Sequence, residues 1–294
     1  PSGHLSRPRR RRPAHDPHPN GVLTQVKTGP PPVVLDECSG VAVTASWDNG
    51  SMRVGVYIDG YNLYYGGRGI CGRGVAGWRW LDLRAMLGAV IAVQSGWPPG
   101  VDSRIVFCTA RIRGRDNVGS QRDQDAYLRA LTHHGAVDVI EFGNYVARTA
   151  TAPLATADHR GRPILTEANW PLMVRDVQGS DVPHATFMAS VARREEKGSD
   201  VNVASHMLVD VLGGSVDAAV VVSNDSDLKM PVDVARHHVP LGLINPTKGY
   251  PSGALNAAPT TGVGGHWWYQ MTAADFTNHQ MPATVGRLSR PLGW

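Results

Sequence analysis

Cysteine is scarce in this chain of 294 residues, and long apolar runs are absent from it. The three cysteines, Cys38, Cys71 and Cys108, are odd in number and lack the close spacing of zinc ligands. This pattern argues against a disulfide framework and against zinc. No apolar run approaches the roughly 20 residues that span a bilayer, and no apolar segment follows the first arginines as in a signal peptide. These absences predict a soluble, cytoplasmic protein that does not bind membranes.

The chain also lacks a strong excess of charge, since its formal net charge is only +4. Basic residues are nevertheless bunched, and such local clusters can steer a polyanion. Residues 1–51 contain one of these clusters, Arg9–Arg12, and are rich in Pro, Arg, His and Gly without periodicity. This composition predicts a disordered basic extension. It is either an upstream addition to a protein that starts at Met52, the first methionine, or an arm that helps to bind RNA.

The chain is organised around the stretch VGVYIDGYNLYY, Val54–Tyr65. Its apolar start is rich in β-branched residues and predicts a buried parallel strand that ends at Asp59. In open α/β sheets, ligands bind at this carboxyl edge. A second strand is expected over 103–112, and right-handed crossovers would bring its arginines to the same edge, where they would bind phosphates. These arginines are Arg111, Arg113 and Arg115.

The segment GGRGICGRGVAG contains G-x-G-x-x-G twice, but it does not follow the strand directly as a dinucleotide site requires. We interpret it as a flexible loop at the rim of the site. A helix capped by Asp82 is expected next, and a second helix over Val118–His134. A third strand is expected over Val137–Val146, followed by a proline-rich insertion over 147–183.

The helix that follows EEKGSDVN has an acid on its apolar side. Ser199 is the expected N-cap, and Asp200 lies four residues before the first member of the expected buried stripe. The helix dipole would explain an acid in the first turn, but not its place on the apolar face. The stripe consists of Ala204, Met207, Leu208, Val211 and Leu212.

The apolar strand Ala218–Val222 ends in the polar run SNDSD, which contains Asp225 and Asp227. Such a run is also typical of a turn with a helix cap. With Asp59 and Asp200, however, it would bring four acids to one edge. Two unit charges 4 Å apart repel by roughly 4 kcal/mol at an effective dielectric near 20, so the cluster calls for a divalent cation. Carboxylates suit Mg²⁺ or Mn²⁺, and the sequence predicts metal-assisted phosphodiester hydrolysis.

Other sites on acid-edged sheets fit less well. A phosphatase of the haloacid-dehalogenase kind requires Asp-x-Asp on the first strand, where this chain has Tyr61 in the second position. A receiver domain requires its acceptor acid after the third strand, where this chain has Gly143 and Asn144. The sequence contains no G-x-x-x-x-G-K-[ST] loop for a nucleotide triphosphatase.

Three motifs, VGVYIDGYNLYY, EEKGSDVN and VVVSNDSDL, occur in this order and are followed by GLINP. Together they resemble the NYN family of PIN-like ribonucleases, in particular its bacterial LabA-like branch. The resemblance runs from about Met52 to Asn245 and is weaker beyond it. It implies an α/β protein, a three-layer α/β/α sandwich around a mainly parallel sheet, that cleaves RNA with Mg²⁺ or Mn²⁺.

The resemblance also implies roles for individual residues. The four aspartates would be the metal-site acids and carry the catalysis: Asp59, Asp200, Asp225 and Asp227. Asn62 would orient a ligand or water, and Lys197 would contact a phosphate. Ser223 and Asn224, within the third motif, would contact the substrate.

Two alternatives stay open at this point. The chain could be a non-catalytic RNA-binding or regulatory module with a structural metal site, or a nuclease that acts on DNA, because the sequence is silent on recognition of the 2′-OH. The expected organisation is the basic extension over 1–51, a nuclease domain over 52–246 that contains the insertion, and a C-terminal tail over 247–294 packed on that domain. The oligomeric state is open, a homo-oligomer included.

Overall fold

The computed structural model describes residues 51–98, 102–112, 118–169 and 173–294. Except for Ser51, the basic extension lies outside the described residues. The strands are β1 Arg53–Asp59, β2 Asp102–Ala110, β3 Val139–Pro153, β4 Ala155–Ala157, β5 Pro163–Leu165, β6 Met188–Lys197, β7 Ala218–Val222, β8 Leu241–Asn245, β9 Trp267–Gln270, β10 Thr284–Val285 and β11 Leu288–Ser289. The helices are α1 Gly60–Cys71, α2 Leu83–Gln94, α3 Val118–His134, α4 Ser199–Leu212, α5 Lys229–Arg236 and α6 Ala273–Asn278, and a 3₁₀ turn spans Ser226–Leu228.

A central sheet of seven strands organises the chain, in the order β6-β3-β2-β1-β7-β8-β9. Its neighbouring strands are parallel except β6, which pairs with β3 in antiparallel fashion. Strand β1 lies near the middle, and its last residue, Asp59, is in register with Cys108 of β2. The carboxyl ends of β1, β2 and β7 therefore meet at one edge, as the sequence predicts.

Helices cover both faces of this sheet, because alternate side chains of each buried strand point to opposite sides. In β1, Val56 and Ile58 belong to one core, while Tyr57 between them belongs to the other. The first core includes residues of α1, α2, α3 and α6, and the second includes residues of α4 and α5. The fold is thus a mixed α/β sandwich with three layers, which confirms the predicted fold class.

The first half of the glycine-rich segment, residues 66–71, is helical where the sequence predicts a flexible loop, whereas residues 72–77 form the predicted irregular structure. Helix α1 begins directly after β1 and continues to Cys71. Its glycines allow close packing: a Cβ at Gly66 would lie 2.1 Å from the carbonyl oxygen of Pro246, and one at Gly67 would lie 2.6 Å from the ring of Phe276. The prediction was wrong for this helical half because its glycines are required by tertiary contacts. The contacting residues, Pro246 and Phe276, lie about 180–210 residues further along the chain.

Helices α2 and α3 follow their sequence patterns. The Asp82 side chain accepts a hydrogen bond from the Ala85 backbone, and the buried face of α2 is the predicted one: Leu83, Met86, Leu87, Val90 and Ile91. Helix α3 spans the predicted residues and ends at Gly135, whose φ of +73° requires glycine. Apolar spacing was sufficient for both helices, because each packs one continuous stripe on the sheet.

Helix α4 differs from the prediction in its cap and in its face. The N-cap is Gly198, with φ of +98°, and Ser199 is the first helical residue instead. The most buried apolar residues are Val203, Met207 and Val211, whereas the predicted Leu212 is exposed. Met207 and Val211 are therefore buried as predicted, Val203 joins them, and the predicted Ala204 and Leu208 are half-buried.

The predicted insertion forms most of an antiparallel arm. Strand β3 pairs with β2 only over Val139–Gly143, and beyond that its partner is β6, from Asn144 opposite Lys197 to Pro153 opposite Met188. Strands β4 and β5 form a short hairpin beyond this ribbon. The third strand is therefore longer than predicted. Its outer part pairs with β6 alone and does not pack in the core, so it needs no apolar periodicity.

Residues 247–294 contain more regular structure than a tail. Strand β9 pairs in parallel with β8 and extends the central sheet beyond residue 246, where the nuclease domain was predicted to end. Helix α6 carries Phe276, which is fully buried in the first core. Across the described part of the chain, no helix combines the length and apolar character needed to cross a bilayer.

Candidate metal centre

Asp59 is held at the end of β1 by a dense set of hydrogen bonds. Its side chain is the N-cap of α1, and Oδ1 accepts the backbone N–H groups of Tyr61 and Asn62, each at 3.0 Å. Oδ2 accepts the Asn62 amide at 2.7 Å and the Ser223 hydroxyl at 3.0 Å. The residue is 1% exposed, and this burial raises the pKa of Asp59 although the four hydrogen bonds oppose the shift.

Ser223 links Asp59 to the acidic loop after β7. Its hydroxyl donates to Asp59 and accepts the backbone N–H of Asp225 at 3.1 Å. The Asp225 side chain in turn caps the 3₁₀ turn and accepts the backbone N–H of Asp227 at 3.0 Å. The loop is thus both the turn that its composition indicates and a scaffold that orients Asp225.

Asp200 completes a triad of carboxylates. One oxygen from each of Asp59, Asp200 and Asp225 lies within 4.8 Å of the others. Burial and the charges of Asp59 and Asp225, with smaller contributions from Glu196 and Asp227, raise the pKa of Asp200 to about 6. Asp227 therefore contributes to the field of the site, although the triad is formed without it.

Glu196 is a residue of this site that sequence analysis did not single out. Its Oε1 accepts both the backbone N–H and the hydroxyl of Ser199, at 3.0 and 2.8 Å, and so fixes the start of α4 next to Asp200. The available signal was its place in EEKGSDVN, three residues before Ser199. In a capping box the serine precedes the glutamate by three residues, whereas here the glutamate precedes the serine. The usual N-cap patterns therefore do not identify Glu196.

The donor set of the triad fits a divalent cation with oxygen ligands. Carboxylates are the ligands that Mg²⁺ and Mn²⁺ prefer, whereas zinc favours nitrogen and sulfur. Both Asp59 oxygens already accept two hydrogen bonds each, so the half-buried Asp200 and Asp225 offer the more open lone pairs. The structure therefore supports a metal-binding triad of aspartates.

Asn62 and Asn224 connect parts of the site through hydrogen bonds and have few hydrogen-bonding groups left for a ligand. The Asn62 amide donates to Asp59, and its carbonyl accepts the backbone N–H of Asn224 at 3.2 Å. The Asn224 side chain contacts Thr247, the carbonyl of Tyr250 and the backbone N–H of Ser252. In this structure both residues, predicted to contact the substrate, orient protein groups instead.

The cations predicted to bind phosphates have protein partners where they are described. Lys197 lies on β6 and pairs with Glu195 at 3.2 Å. Arg111 follows β2 at the expected edge, pairs with Asp125 at 3.1 Å, and lies over the ring of Phe142. Arg113 and Arg115 lie outside the described residues.

A cavity of about 570 Å³ lies beside the triad. Gly60 and Tyr61, the two residues after Asp59, belong to its wall, as do Thr109 and Ile112 near the end of β2. Eight of its lining residues are aromatic, although aromatic residues make up 7% of the chain. Sequence analysis did not predict this cavity, because its walls come from α1, α3 and residues near the C-terminus.

No family model matches the chain. An alignment 219 positions long, which covers 69% of this chain, shows 31% identity to the 6-hydroxy-3-succinoylpyridine 3-monooxygenase HspA of Pseudomonas putida (strain DSM 28022 / S16). The match spans 62% of that protein's length. Among solved structures, a protein of unknown function from Vibrio parahaemolyticus RIMD 2210633 aligns over 78% of this chain and 98% of its own, at 13% identity and a TM-score of 0.37.

Proposed function

We propose that the chain is a divalent-metal-dependent ribonuclease of the NYN family. The observation that carries this proposal is the triad of Asp59, Asp200 and Asp225, whose carboxylate oxygens lie within 4.8 Å of one another at the carboxyl edge of the sheet. Three acids at this distance repel one another and are stabilised together by a cation. The three motifs that resemble the NYN family contain these acids, and they support the same assignment.

The triad would bind Mg²⁺ or Mn²⁺. The cation, when bound, would supply a polarised water and neutralise charge on a phosphodiester. The protein's own contribution is positioning: four hydrogen bonds fix Asp59, and the Glu196 contacts fix the helix start that carries Asp200. The raised pKa of Asp200 means that this carboxyl holds a proton more readily than a free aspartate and releases it when a cation binds.

RNA is the proposed substrate. A sequence pI of about 9.1 gives the chain a net positive charge at neutral pH, which favours encounter with a polyanion. The arginine-rich extension and the arginines after β2 would add to this attraction. If the triad bound metal without turnover, the same residues would make a metal-stabilised RNA-binding module.

The test is cleavage of labelled RNAs and single-stranded DNAs with Mn²⁺, Mg²⁺ or EDTA. The wild type is compared with Asp59→Asn and Asp225→Asn, and with Asp181→Asn as a control for the same change of charge. Asp181 pairs with Arg175 at 3.2 Å and lies outside the triad. We expect metal-dependent cleavage of RNA that both triad variants reduce by at least about 100-fold and that the control retains.

Two results would contradict the proposal. Intact RNA under every metal condition, together with salt-sensitive RNA binding, would favour the binding module. Cleavage that the triad variants retain would place the activity elsewhere or in a contaminant. Preference for DNA would keep the metal chemistry and change the substrate.

A second candidate is oxygenation of a small heteroaromatic ring. It is favoured by the similarity to a monooxygenase of Pseudomonas putida and by the aromatic cavity beside the triad. A monooxygenase consumes dioxygen and two electrons from a donor, so the test is oxygen uptake with 6-hydroxy-3-succinoylpyridine and NADH, with and without added flavin. Ring-dependent oxygen uptake without RNA cleavage would favour this candidate.

A further inference from the structure

The aromatic cavity beside the triad has flat and partly exposed walls. Tyr61 and Tyr65 stack with their ring centroids 6.1 Å apart, and Tyr64 lies 5.7 Å from Trp78. Tyr65 and Tyr64 remain 55% and 42% exposed. Large exposed aromatic residues on one helix are costly to leave in water unless another apolar surface covers them. Their clustering in one wall therefore points to a ligand.

Guanidinium groups lie over two of these rings. Arg68 lies over Tyr65, with its Cζ 6.0 Å from the ring centroid, and Arg79 lies over Trp78 at 5.1 Å. A planar ligand that stacked on this wall would also meet cations, which attract the electron-rich faces of rings and any acidic substituent. The wall thus combines stacking surface with positive charge.

Two buried donors at the cavity lack partners. Trp78 Nε1 and Arg79 Nε are buried and have no hydrogen-bond partner among the described residues. Both residues line the cavity. A buried donor without a partner is unfavourable, so an acceptor that reached either atom would stabilise the site. Ring nitrogens and exocyclic oxygens of heterocycles are acceptors of this kind.

We propose that this cavity binds a planar nitrogen heterocycle that carries hydrogen-bond acceptors. The cavity's wall includes Gly60 and Tyr61, the two residues that follow Asp59, and the Tyr61 backbone N–H donates to the Asp59 side chain. The ring belongs either to a nucleotide of the RNA strand or to a free small molecule of the hydroxypyridine type. The assignment of the ring to an RNA nucleotide rests on the proposed ribonuclease function, whereas the prediction that the cavity binds a ring does not.

The experiment is ligand binding to the full chain in EDTA, measured by saturation-transfer NMR and by titration calorimetry. The probes are uridine and adenosine 5′-monophosphates, 6-hydroxynicotinate, and ribose 5-phosphate as a phosphate without a ring. The variants are Tyr65→Leu and Arg68→Ala, whose side chains are exposed or half-buried, with Trp268→Leu as a control. Trp268 is 57% exposed on β9 and is not part of the cavity wall.

We expect at least one ring compound to bind, ribose 5-phosphate to bind much more weakly, and Tyr65→Leu to weaken ring binding by about 5- to 100-fold. The control variant should bind as the wild type does. If only the nucleotides bind, the ring that the cavity takes belongs to RNA. If only 6-hydroxynicotinate binds, the ligand is a free small molecule. Absence of ring binding, equal binding of ribose 5-phosphate, or an equal loss in the control would overturn the proposal.

Failure of this inference is distinguishable from failure of the proposed function. Ring binding in EDTA involves neither metal nor turnover, so it is scored independently of RNA cleavage. If RNA is not cleaved but rings bind through Tyr65, the cavity assignment stands and the ribonuclease proposal falls. If RNA is cleaved through the triad but no ring binds, the reverse holds.

Discussion

The close approach of α1 to the segment after β8 allows a sharp test of the fold around the site. At Gly66, an added Cβ would lie 2.1 Å from the carbonyl oxygen of Pro246, where a relaxed carbon–oxygen contact needs about 3.3 Å. Either backbone must therefore move by about 1 Å in Gly66→Ala. Overpacking of this kind costs about 1–3 kcal/mol, and the upper end applies because both partners are backbone.

Gly69 is the matched control on the same helix. Its nearest neighbour for an added Cβ is Lys248 Cγ at 4.0 Å, an ordinary van der Waals contact. In Gly69→Ala, alanine should therefore raise the free energy of unfolding by about 0.5–1 kcal/mol through its helix propensity. The same gain applies at Gly66, so we expect that variant to lose about 2 kcal/mol net and the two variants to differ by about 3 kcal/mol.

The assay is equilibrium unfolding in urea, followed by circular dichroism and by tryptophan fluorescence. Because α1 also carries Asn62 and begins at the Asp59 cap, Gly66→Ala should weaken metal binding as well, whereas Gly69→Ala should not. Equal free energies of unfolding for the two variants would refute the reasoning, because a flexible loop in this segment would tolerate both changes alike.

Three further predictions concern buried groups. Tyr57→Phe removes the hydroxyl that donates to Asp210 at 2.9 Å, and should lower the free energy of unfolding by about 1 kcal/mol in urea titrations. The native pKa of Asp200 is raised to about 6, so the native state binds the extra proton between about pH 4 and 6. Stability of the metal-free protein should therefore fall as pH rises through that range, and Mn²⁺ affinity measured by calorimetry should weaken below pH 6. Burial raises the pKa of Cys108 to about 12, so a thiol reagent at pH 8 should label Cys71 first and Cys108 only on unfolding.

Sequence analysis predicted the elements whose apolar residues form one continuous run or one unbroken stripe. Strand β7, Ala218–Val222, is a run of five buried apolar residues, and α2 presents an unbroken apolar stripe. The acids converge for a topological reason, because Asp59 and the loop after β7 follow neighbouring parallel strands. Strand endings thus predicted that Asp59 and Asp225 converge, whereas Asp200 was found from its place on the apolar side of a helix.

The features that escaped prediction depend on contacts between distant parts of the chain. The glycines of α1 indicate a loop when read locally, and their helical role follows only from Pro246 and Phe276. Strand β9 is short and aromatic, and only its pairing with β8 shows that it belongs to the sheet. The cavity beside the triad is assembled from several elements, so no single segment carries its signal.

The antiparallel arm is attached to the sheet at the point where Asp200 begins its helix. From Asn144 to Pro153, β3 has ten residues paired only with β6, which makes a ribbon about 30 Å long. Geometrically, a tilt of the ribbon by 10° about its attachment moves the tip by about 5 Å but the attachment hardly at all. The attachment is tightly packed, since a Cβ at Gly143 would lie 2.4 Å from Glu196 Oε1. The ribbon therefore joins the sheet one residue pair from Glu196, which fixes the start of the helix that carries Asp200, so the arm and the acidic centre share one tightly packed junction.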